Sequence, residues 1–214
     1  MKLFAYLMSQ FANPRGILGR VAGVIMATHS SNRERNAWTL SLLKIASADR
    51  VLEIGFGPGW AIGEAAKTAS RVVGVDRSAL MVKEAAKRNR AAIDQGKVKL
   101  TLGSVENGAL EDLSATEARF DKIFSSNVAQ FWKHPADVLG RLLHLLAPDG
   151  TVAITYQPRH RGATDADSES FAAGIAGSMR AAGFTYVSIE RKSMKPLRTV
   201  CVLGSRSLDD VKGE

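Results

Sequence analysis

The chain has 214 residues and a formal net charge of +8, with 45% hydrophobic and 23% charged residues. This length fits one domain with its own core, and the balanced composition excludes a disordered or fibrous protein. The positive charge favours anionic partners, but the chain has no aromatic-basic motif and no dedicated nucleic-acid module, so we do not expect nucleic acid as a partner. The single cysteine, Cys201, rules out an internal disulfide, and no Cys/His cluster has metal-ligand spacing. We therefore expect no bound metal and a cytoplasmic location.

The first 48 residues are predicted to form a helical extension, 1–48. Hydrophobic residues at helical spacing predict helices at 1–11, 17–26 and 33–45. In the third helix the residues on successive turns are Ala37, Leu40, Leu43 and Lys44. No stretch approaches the roughly 20 apolar residues that a membrane-spanning helix needs. The first helix could instead lie on a membrane surface, so a peripheral membrane contact is one interpretation of this segment.

Short β-rich runs alternate with helical patterns from Arg50 onwards. Such alternation predicts a parallel sheet with helices on both faces and right-handed crossovers. The five predicted strands are Val51–Ile54, Arg71–Val75, Val98–Leu102, Lys122–Ser125 and Thr151–Tyr156. The predicted helices between them are Ala61–Ala69, Ala79–Ala92 and Ala136–Leu146.

The end of the chain breaks this alternation. After a helix predicted at Asp167–Ala182, two β-like runs, Phe184–Glu190 and Thr199–Leu203, follow each other with no helix between them. Two strands joined by a short segment pair antiparallel most readily. The main domain is therefore placed at 49–206, and the polar residues 207–214 are expected to form a frayed end.

Three glycines at alternate positions, Gly55, Gly57 and Gly59, come directly after the first predicted strand and before a helix. Glycine lets the backbone turn sharply and leaves bare N–H groups beside a helix start, where a ligand can approach closely. Asp76 follows the second strand, and a carboxylate there can accept both hydroxyls of a ribose. Loop and carboxylate together predict an adenosine site, although a tight turn and a helix cap would explain the same residues without a ligand.

Two side chains around this loop decide which adenosine cofactor fits. The dinucleotide fingerprint needs a glycine where this chain has Trp60, which argues against a nucleotide-dependent dehydrogenase. Glu53, just before the loop, would repel a pyrophosphate but could help to hold a cationic ligand. S-adenosylmethionine carries both an ammonium and a sulfonium, so it is the predicted cofactor.

Four motifs resemble those of the class I S-adenosylmethionine-dependent methyltransferases, and in chain order they are Glu53–Gly59, Val73–Ser78, Phe120–Phe124 and Leu146–Thr151. They are most similar to the small-molecule branch that includes the ubiquinone and menaquinone methyltransferases. The resemblance implies a Rossmann-like α/β fold whose doubly wound, mostly parallel seven-stranded sheet ends in an antiparallel hairpin. It also implies that the extension at 1–48 closes over the cofactor as a lid.

The same resemblance assigns the cofactor contacts residue by residue. The glycine loop would lie beneath the methionine part, Asp76 would hold the ribose, and Asn127 would contribute its backbone. Ser104 stands where the family usually has an aspartate for the adenine amine, and a hydroxyl accepts that hydrogen bond more weakly. The expected cofactor-binding residues are Glu53, Gly55, Gly57, Gly59, Asp76, Ser104, Val105 and Asn127.

Methyl transfer from a sulfonium is an in-line displacement, which needs alignment and exclusion of water more than a strong base. The segments after the fourth and fifth strands should face the methyl group. They supply the candidates for the acceptor pocket, which are Phe131, Trp132, Tyr156 and Arg159. His134 is the candidate catalytic base, although its place beside Pro135 also suits the start of a helix.

The expected acceptor is a small or amphiphilic, lipid-like molecule. RNA or protein is the alternative, but the signature of amino-methylating nucleic-acid enzymes is absent, because Asn127 is followed by Val128 and not by two prolines. A non-catalytic module that binds S-adenosylmethionine and regulates a partner is the third interpretation.

Overall fold

The computed structural model describes residues 30–205. The helices expected at 1–11 and 17–26 and the tail at 207–214 lie outside this range, so the lid and the membrane contact stay predictions. The first helix of the described part, α1, covers Ser30–Leu43. No helix of this part is both long and apolar enough to cross a membrane.

Seven strands form one sheet, and they are β1 (Arg50–Ile54), β2 (Arg71–Asp76), β3 (Val98–Leu102), β4 (Phe120–Ser126), β5 (Leu146–Tyr156), β6 (Tyr186–Lys192) and β7 (Thr199–Ser205). Their order across the sheet is β3-β2-β1-β4-β5-β7-β6. The first five pair in parallel, whereas β7 lies antiparallel to both β5 and β6. The predicted doubly wound sheet with its antiparallel hairpin is confirmed.

Helices cover both faces of the sheet. After α1 they are α2 (Trp60–Thr68), α3 (Ala79–Arg88), α4 (Arg90–Asp94), α5 (Ala109–Thr116), α6 (Pro135–Leu145) and α7 (Asp165–Ala181). The short helix α5 is absent from the predicted elements, because its only large buried side chains are two leucines. The helix predicted at Ala79–Ala92 is broken at Asn89, whose side-chain amide donates to the carbonyls of Ala85 and Gly59 at 2.9 and 3.0 Å. An amide bonded to nearby backbone competes with the helical ladder.

Strand β5 begins ahead of its predicted start at Thr151. Leu146 already pairs with Phe120, across an irregularity in the register of β4 and β5. The segment Pro148–Gly150, which looks like a helix-ending turn in the sequence, therefore belongs to the strand.

Alternate residues of the central strands face two hydrophobic cores, one on each side of the sheet. In β1, Leu52 and Ile54 face the core formed with α5, α6 and α7, whereas Val51 faces the core formed with α1, α2 and α3. Burying one such side chain fully stabilises the fold by about 1.5–3 kcal/mol. The alternation also directs Glu53 to the same side as Val51.

Helix α1 buries a mainly polar face. Its four most buried side chains, one per turn, are Ser31, Arg35, Thr39 and Leu43. Of the residues predicted on successive turns, Leu43 is buried and Leu40 packs against the core, but Ala37 is exposed. The reason is that α1 lies over the polar carboxyl ends of β4 and β5, where the hydroxyl of Thr39 is 2.7 Å from that of Thr155.

Three basic side chains at the amino-terminal edge of the sheet converge on Glu117. Its carboxylate lies 2.8 Å from Arg50 Nη2, 3.1 Å from Arg71 Nη2 and 2.9 Å from Lys99 Nζ. Burial alone would raise the pKa of Glu117, but the hydrogen bonds from Arg71 and Lys99 outweigh it and lower that pKa to about 2. The cluster ties the starts of β1, β2 and β3 together.

We expect Glu117→Gln to lower the free energy of unfolding by about 1–3 kcal/mol at neutral pH. Because the folded-state pKa of about 2 is lower than the ordinary value of 4.5, this contribution is complete above pH 4.5 and is lost as the pH falls towards 2. Urea denaturation of both proteins at several acid pH values measures the difference. Glu64→Gln, which removes an exposed ion pair with Lys67, is the control and should stay within about 0.5 kcal/mol of wild type. A difference independent of pH would contradict this account.

Candidate active site

A cleft of about 570 Å³ opens at the carboxyl ends of the parallel strands. It is lined by the glycine loop after β1, by the segments that follow β2, β3, β4 and β5, and by the first turns of α1. Ligands of open parallel sheets bind at this edge, and a volume of this size suits a small molecule. The cleft brings together most of the residues that the sequence singles out.

The glycine loop owes its shape to three left-handed backbone conformations, with φ of +72° at Gly55, +52° at Gly57 and +74° at Gly59. A Cβ at Gly57 would meet nothing within 4 Å. A Cβ at Gly55 would overlap the side chain of Val128, and one at Gly59 would lie 2.6 Å from the Cβ of Ala85. Gly55 and Gly57 line the cleft, whereas Gly59 lies outside it and lets α2 pack against α3.

Asp76 joins the glycine loop to the next segment. Its Oδ2 accepts a hydrogen bond from the N–H of Gly57 at 2.8 Å, and its Oδ1 accepts one from the N–H of Ser78 at 2.8 Å. Burial raises the pKa of Asp76, against the opposite effect of these two hydrogen bonds. Each carboxylate oxygen can accept more than one hydrogen bond, so the group can still accept the hydroxyls of a ribose.

Glu53 lies below the glycine loop and is only 3% exposed. Burial and the nearby charge of Asp76 raise its pKa well above the ordinary range, against a hydrogen bond from the backbone of Ile62. Its Oε2 has no hydrogen-bond partner among residues 30–205. A buried acceptor without a partner is costly, and a cationic ligand group in this part of the cleft would relieve that cost.

The segment after β3 supplies the predicted adenine end. Ser104, Val105 and Glu106 all line the cleft. The hydroxyl of Ser104 accepts a hydrogen bond from the N–H of Glu106 at 3.3 Å, which leaves its own proton and one lone pair for a ligand. The contact with the adenine amine stays a prediction.

Asn127 follows β4 with a φ of +55°. Its side chain donates to the carbonyl of Gln157 and accepts from the N–H of the same residue, each at 2.8 Å. The amide therefore ties the end of β4 to the end of β5, and the contact of the Asn127 backbone with the cofactor stays a prediction. Its carbonyl also accepts a hydrogen bond from Gln130 Nε2 at 2.9 Å.

All four predicted acceptor-pocket residues line the cleft, and they are Phe131, Trp132, Tyr156 and Arg159. The indole Nε1 of Trp132 is buried and has no partner among the described residues. The predicted base, His134, is exposed at the start of α6 and does not line the cleft. A different imidazole, that of His160 after β5, lines it instead.

Sequence reasoning missed the contribution of α1. Asn32, Arg35 and Asn36 line the cleft, and the side-chain Oδ1 of Asn36 has no partner among the described residues. These three residues are spaced three and four apart, which places them on one side of a helix. Those three polar residues at helical spacing were the signal available in the sequence.

Comparison with known proteins assigns the chain to a family. Residues 52–154 match the model of a family described as a methyltransferase domain. Over 188 residues the chain is 33% identical to the uncharacterized methyltransferase YdaC of Bacillus subtilis strain 168, with 87% of this chain and 98% of that protein aligned. This chain belongs to the class I S-adenosylmethionine-dependent methyltransferases.

Solved structures share the fold of this methyltransferase. The N-methyltransferase NodS of Bradyrhizobium japonicum WM9, in complex with S-adenosylhomocysteine, has a TM-score of 0.66 at 16% identity and covers 94% of this chain and 96% of its own. A SAM dependent methyltransferase from Aquifex aeolicus has a TM-score of 0.64 at 17% identity, with 83% and 94% covered. At these identities the likeness concerns the fold.

The cofactor of this family is S-adenosylmethionine, and three features of the cleft fit it. The space beside Gly57 is open, the carboxylate of Asp76 can accept further hydrogen bonds, and Glu53 presents an acceptor without a partner among the described residues. Asp76 would hold the ribose, and Glu53 with the glycine loop would hold the methionine part.

We expect Asp76→Asn to weaken the binding of S-adenosylhomocysteine by about 1.5–3 kcal/mol, the scale of a hydrogen bond to a charged group. The amide keeps one acceptor for the loop but presents an NH2 group where a ribose hydroxyl needs an acceptor. Isothermal titration calorimetry measures the change. Asp112→Asn, on the exposed side of α5, is the matched control and should bind as wild type. Unchanged affinity in Asp76→Asn would remove the ribose assignment.

We also expect Gly57→Ala to weaken the binding of S-adenosylhomocysteine by about tenfold or more, because the new methyl group enters the cleft. Gly96→Ala is the matched control, since Gly96 has a φ of +71°, its Cβ would also meet nothing within 4 Å, and it lies outside the cleft. Alanine is strained at both positions, so both variants should lose about 1 kcal/mol of stability in thermal unfolding. Equal ligand affinity in the two variants would contradict the role of Gly57.

Proposed function

We propose that this methyltransferase transfers the methyl group of S-adenosylmethionine to a small or amphiphilic acceptor held by Phe131, Trp132, Tyr156 and Arg159. The observation that carries the proposal is the continuity of the cleft, which runs from the glycine loop to these four side chains within about 570 Å³. A concave, mostly apolar cleft with a few polar groups is typical of small-molecule sites.

When bound, the cofactor supplies an electrophilic methyl group on a sulfonium. The chain then has to align the acceptor and exclude water. The ring of Tyr156 packs against that of Phe171 with centroids 4.2 Å apart, which fixes its direction. Burial, with a smaller effect of Asp167, raises the pKa of the Tyr156 phenol, so at neutral pH it orients the acceptor as a hydrogen-bond donor and does not act as a base.

A proton has to be removed only if the nucleophilic atom of the acceptor carries one. His160 is the imidazole that lines the cleft, and its Nε2 lies 3.9 Å from Asp167 Oδ2. In this proposal His160, and not His134, accepts that proton.

The wall formed by α1 favours a small acceptor over RNA or protein. Arg159 Nη2 donates to Ser31 Oγ at 2.8 Å, so the loop after β5 is bonded to the start of α1 above the acceptor end. A macromolecule would have to insert a single residue or base beneath this connection.

The test uses the full chain and cofactor with a labelled methyl group, incubated with small-molecule, lipid, RNA and protein fractions of a cell extract. We expect label in the small-molecule or lipid fraction, and Phe131→Ala should lower that transfer at least about tenfold. Leu102→Ala is the matched control, because Leu102 is the other large exposed hydrophobic residue of the described part, at 56% against 41% for Phe131, and does not line the cleft. Label only in RNA or protein would contradict the proposal, and no transfer to any fraction would favour a binding module.

A further inference from the structure

Arg35 is a buried cation that has no anionic partner among residues 30–205. It is 5% exposed, and its Nε donates to Ser126 Oγ at 2.9 Å while Nη1 lies 3.5 Å from Gln157 Oε1. No carboxylate among residues 30–205 acts on it. Burial and the charge of Arg159 lower the pKa of Arg35 to about 9, so the guanidinium is charged at neutral pH but poorly stabilised by the protein.

A second guanidinium meets the same amide oxygen. Arg159 Nη2 donates to Gln157 Oε1 at 2.6 Å, and no carboxylate among the described residues acts on Arg159 either. Gln157 is fully buried, and its Nε2 donates to the carbonyl of Leu197 at 2.7 Å. That bond orients the amide so that its oxygen faces both arginines.

Two positive charges held close together in a cleft would be stabilised by a bound anion. Residues 1–29 contain no aspartate or glutamate, so the segment before α1 offers no carboxylate side chain. Outside the described residues the acidic side chains are Asp209, Asp210 and Glu214. Guanidinium groups match the geometry of carboxylate and phosphate oxygens in paired hydrogen bonds. Arg35, Gln157 and Arg159 all line the cleft, where such a ligand group can reach them.

We propose that Arg35 and Arg159 bind an oxyanion, a carboxylate or a phosphate, that belongs to the methyl acceptor. The proposal rests on the proposed function and names its substrate class. The arginines meet at Ser126 and Gln157, at the ends of β4 and β5, beside Tyr156. Neighbouring strands lie about 4.8 Å apart, so the end of β5 is about 10 Å from Glu53 in β1, where the methionine part belongs.

The test measures binding of simple anions to the full chain saturated with S-adenosylhomocysteine. Benzoate and phenyl phosphate are the two anionic probes, and benzyl alcohol is the neutral probe of similar shape. We expect at least one anion to bind, with benzyl alcohol at least about tenfold weaker, and the tighter anion identifies the group. Calorimetry that detects neither anion would overturn the proposal.

Single variants locate the anion. Arg35→Gln and Arg159→Gln should each weaken binding of the anionic probe by about tenfold or more. Arg161→Gln makes the same change of charge at an exposed residue outside the cleft and should bind as wild type. Because Arg159 is exposed, its variant decides the question even if Arg35→Gln folds poorly. Anion binding retained in Arg159→Gln would overturn the proposal.

The cofactor has a carboxylate of its own, so its affinity must be measured in the same variants. We expect S-adenosylhomocysteine to bind both arginine variants within about twofold of wild type. Methylthioadenosine, which lacks the amino-acid part, is the reference ligand. If S-adenosylhomocysteine binds more weakly and methylthioadenosine does not, the arginines serve the cofactor, and this proposal fails while the proposed function stands.

Discussion

The shape of the cofactor end of the cleft depends on the carboxylate of Asp76. It accepts hydrogen bonds at 2.8 Å from Gly57 and from Ser78, so it connects the loop after β1 to the start of α3. The connection requires β1 and β2 to end at the same level, and their parallel register, with Ile54 opposite Val75, provides this. One buried carboxylate therefore holds the glycine loop in shape through bonds internal to the chain.

Local sequence patterns predicted the residues of the cofactor end because these residues are neighbours in the sequence or lie at the ends of adjacent strands. To predict the glycine loop and Asp76, it was enough to locate the strand ends and to know which backbone conformations glycine allows. The acceptor end of the cleft depends on where the loops and side chains point, which the periodicity of the sequence does not predict. His134 lies between the turn at Ala129–Phe131 and α6, exposed and outside the cleft, whereas His160 follows β5 and lines the cleft. The polar face of α1 was misjudged because spacing rules assume that the buried side is apolar.

The two edges of the sheet differ in how their charged side chains are paired. At the amino-terminal edge, Glu117 is surrounded by three cations at hydrogen-bond distance. At the carboxyl edge, the cleft is lined by three of the six residues that have a buried side-chain atom without a partner within residues 30–205, and they are Asn36, Glu53 and Trp132. Unsatisfied buried groups are costly to the fold, and a ligand bound in the cleft could satisfy the three that line it.

The cleft also separates Glu53 and Arg35, two buried ionisable groups without an oppositely charged partner among residues 30–205. Burial raises the pKa of Glu53 and lowers that of Arg35 to about 9, so each group is destabilised in its charged form until an opposite charge approaches. Glu53 belongs to β1, whereas Arg35 lies over the ends of β4 and β5, so the two cannot neutralise each other. A cationic ligand group is favoured at one end and an anionic group at the other, and reversing either would bring like charges together in a medium of low dielectric. Orientation of this kind is what an in-line displacement needs from a protein that supplies little other chemistry.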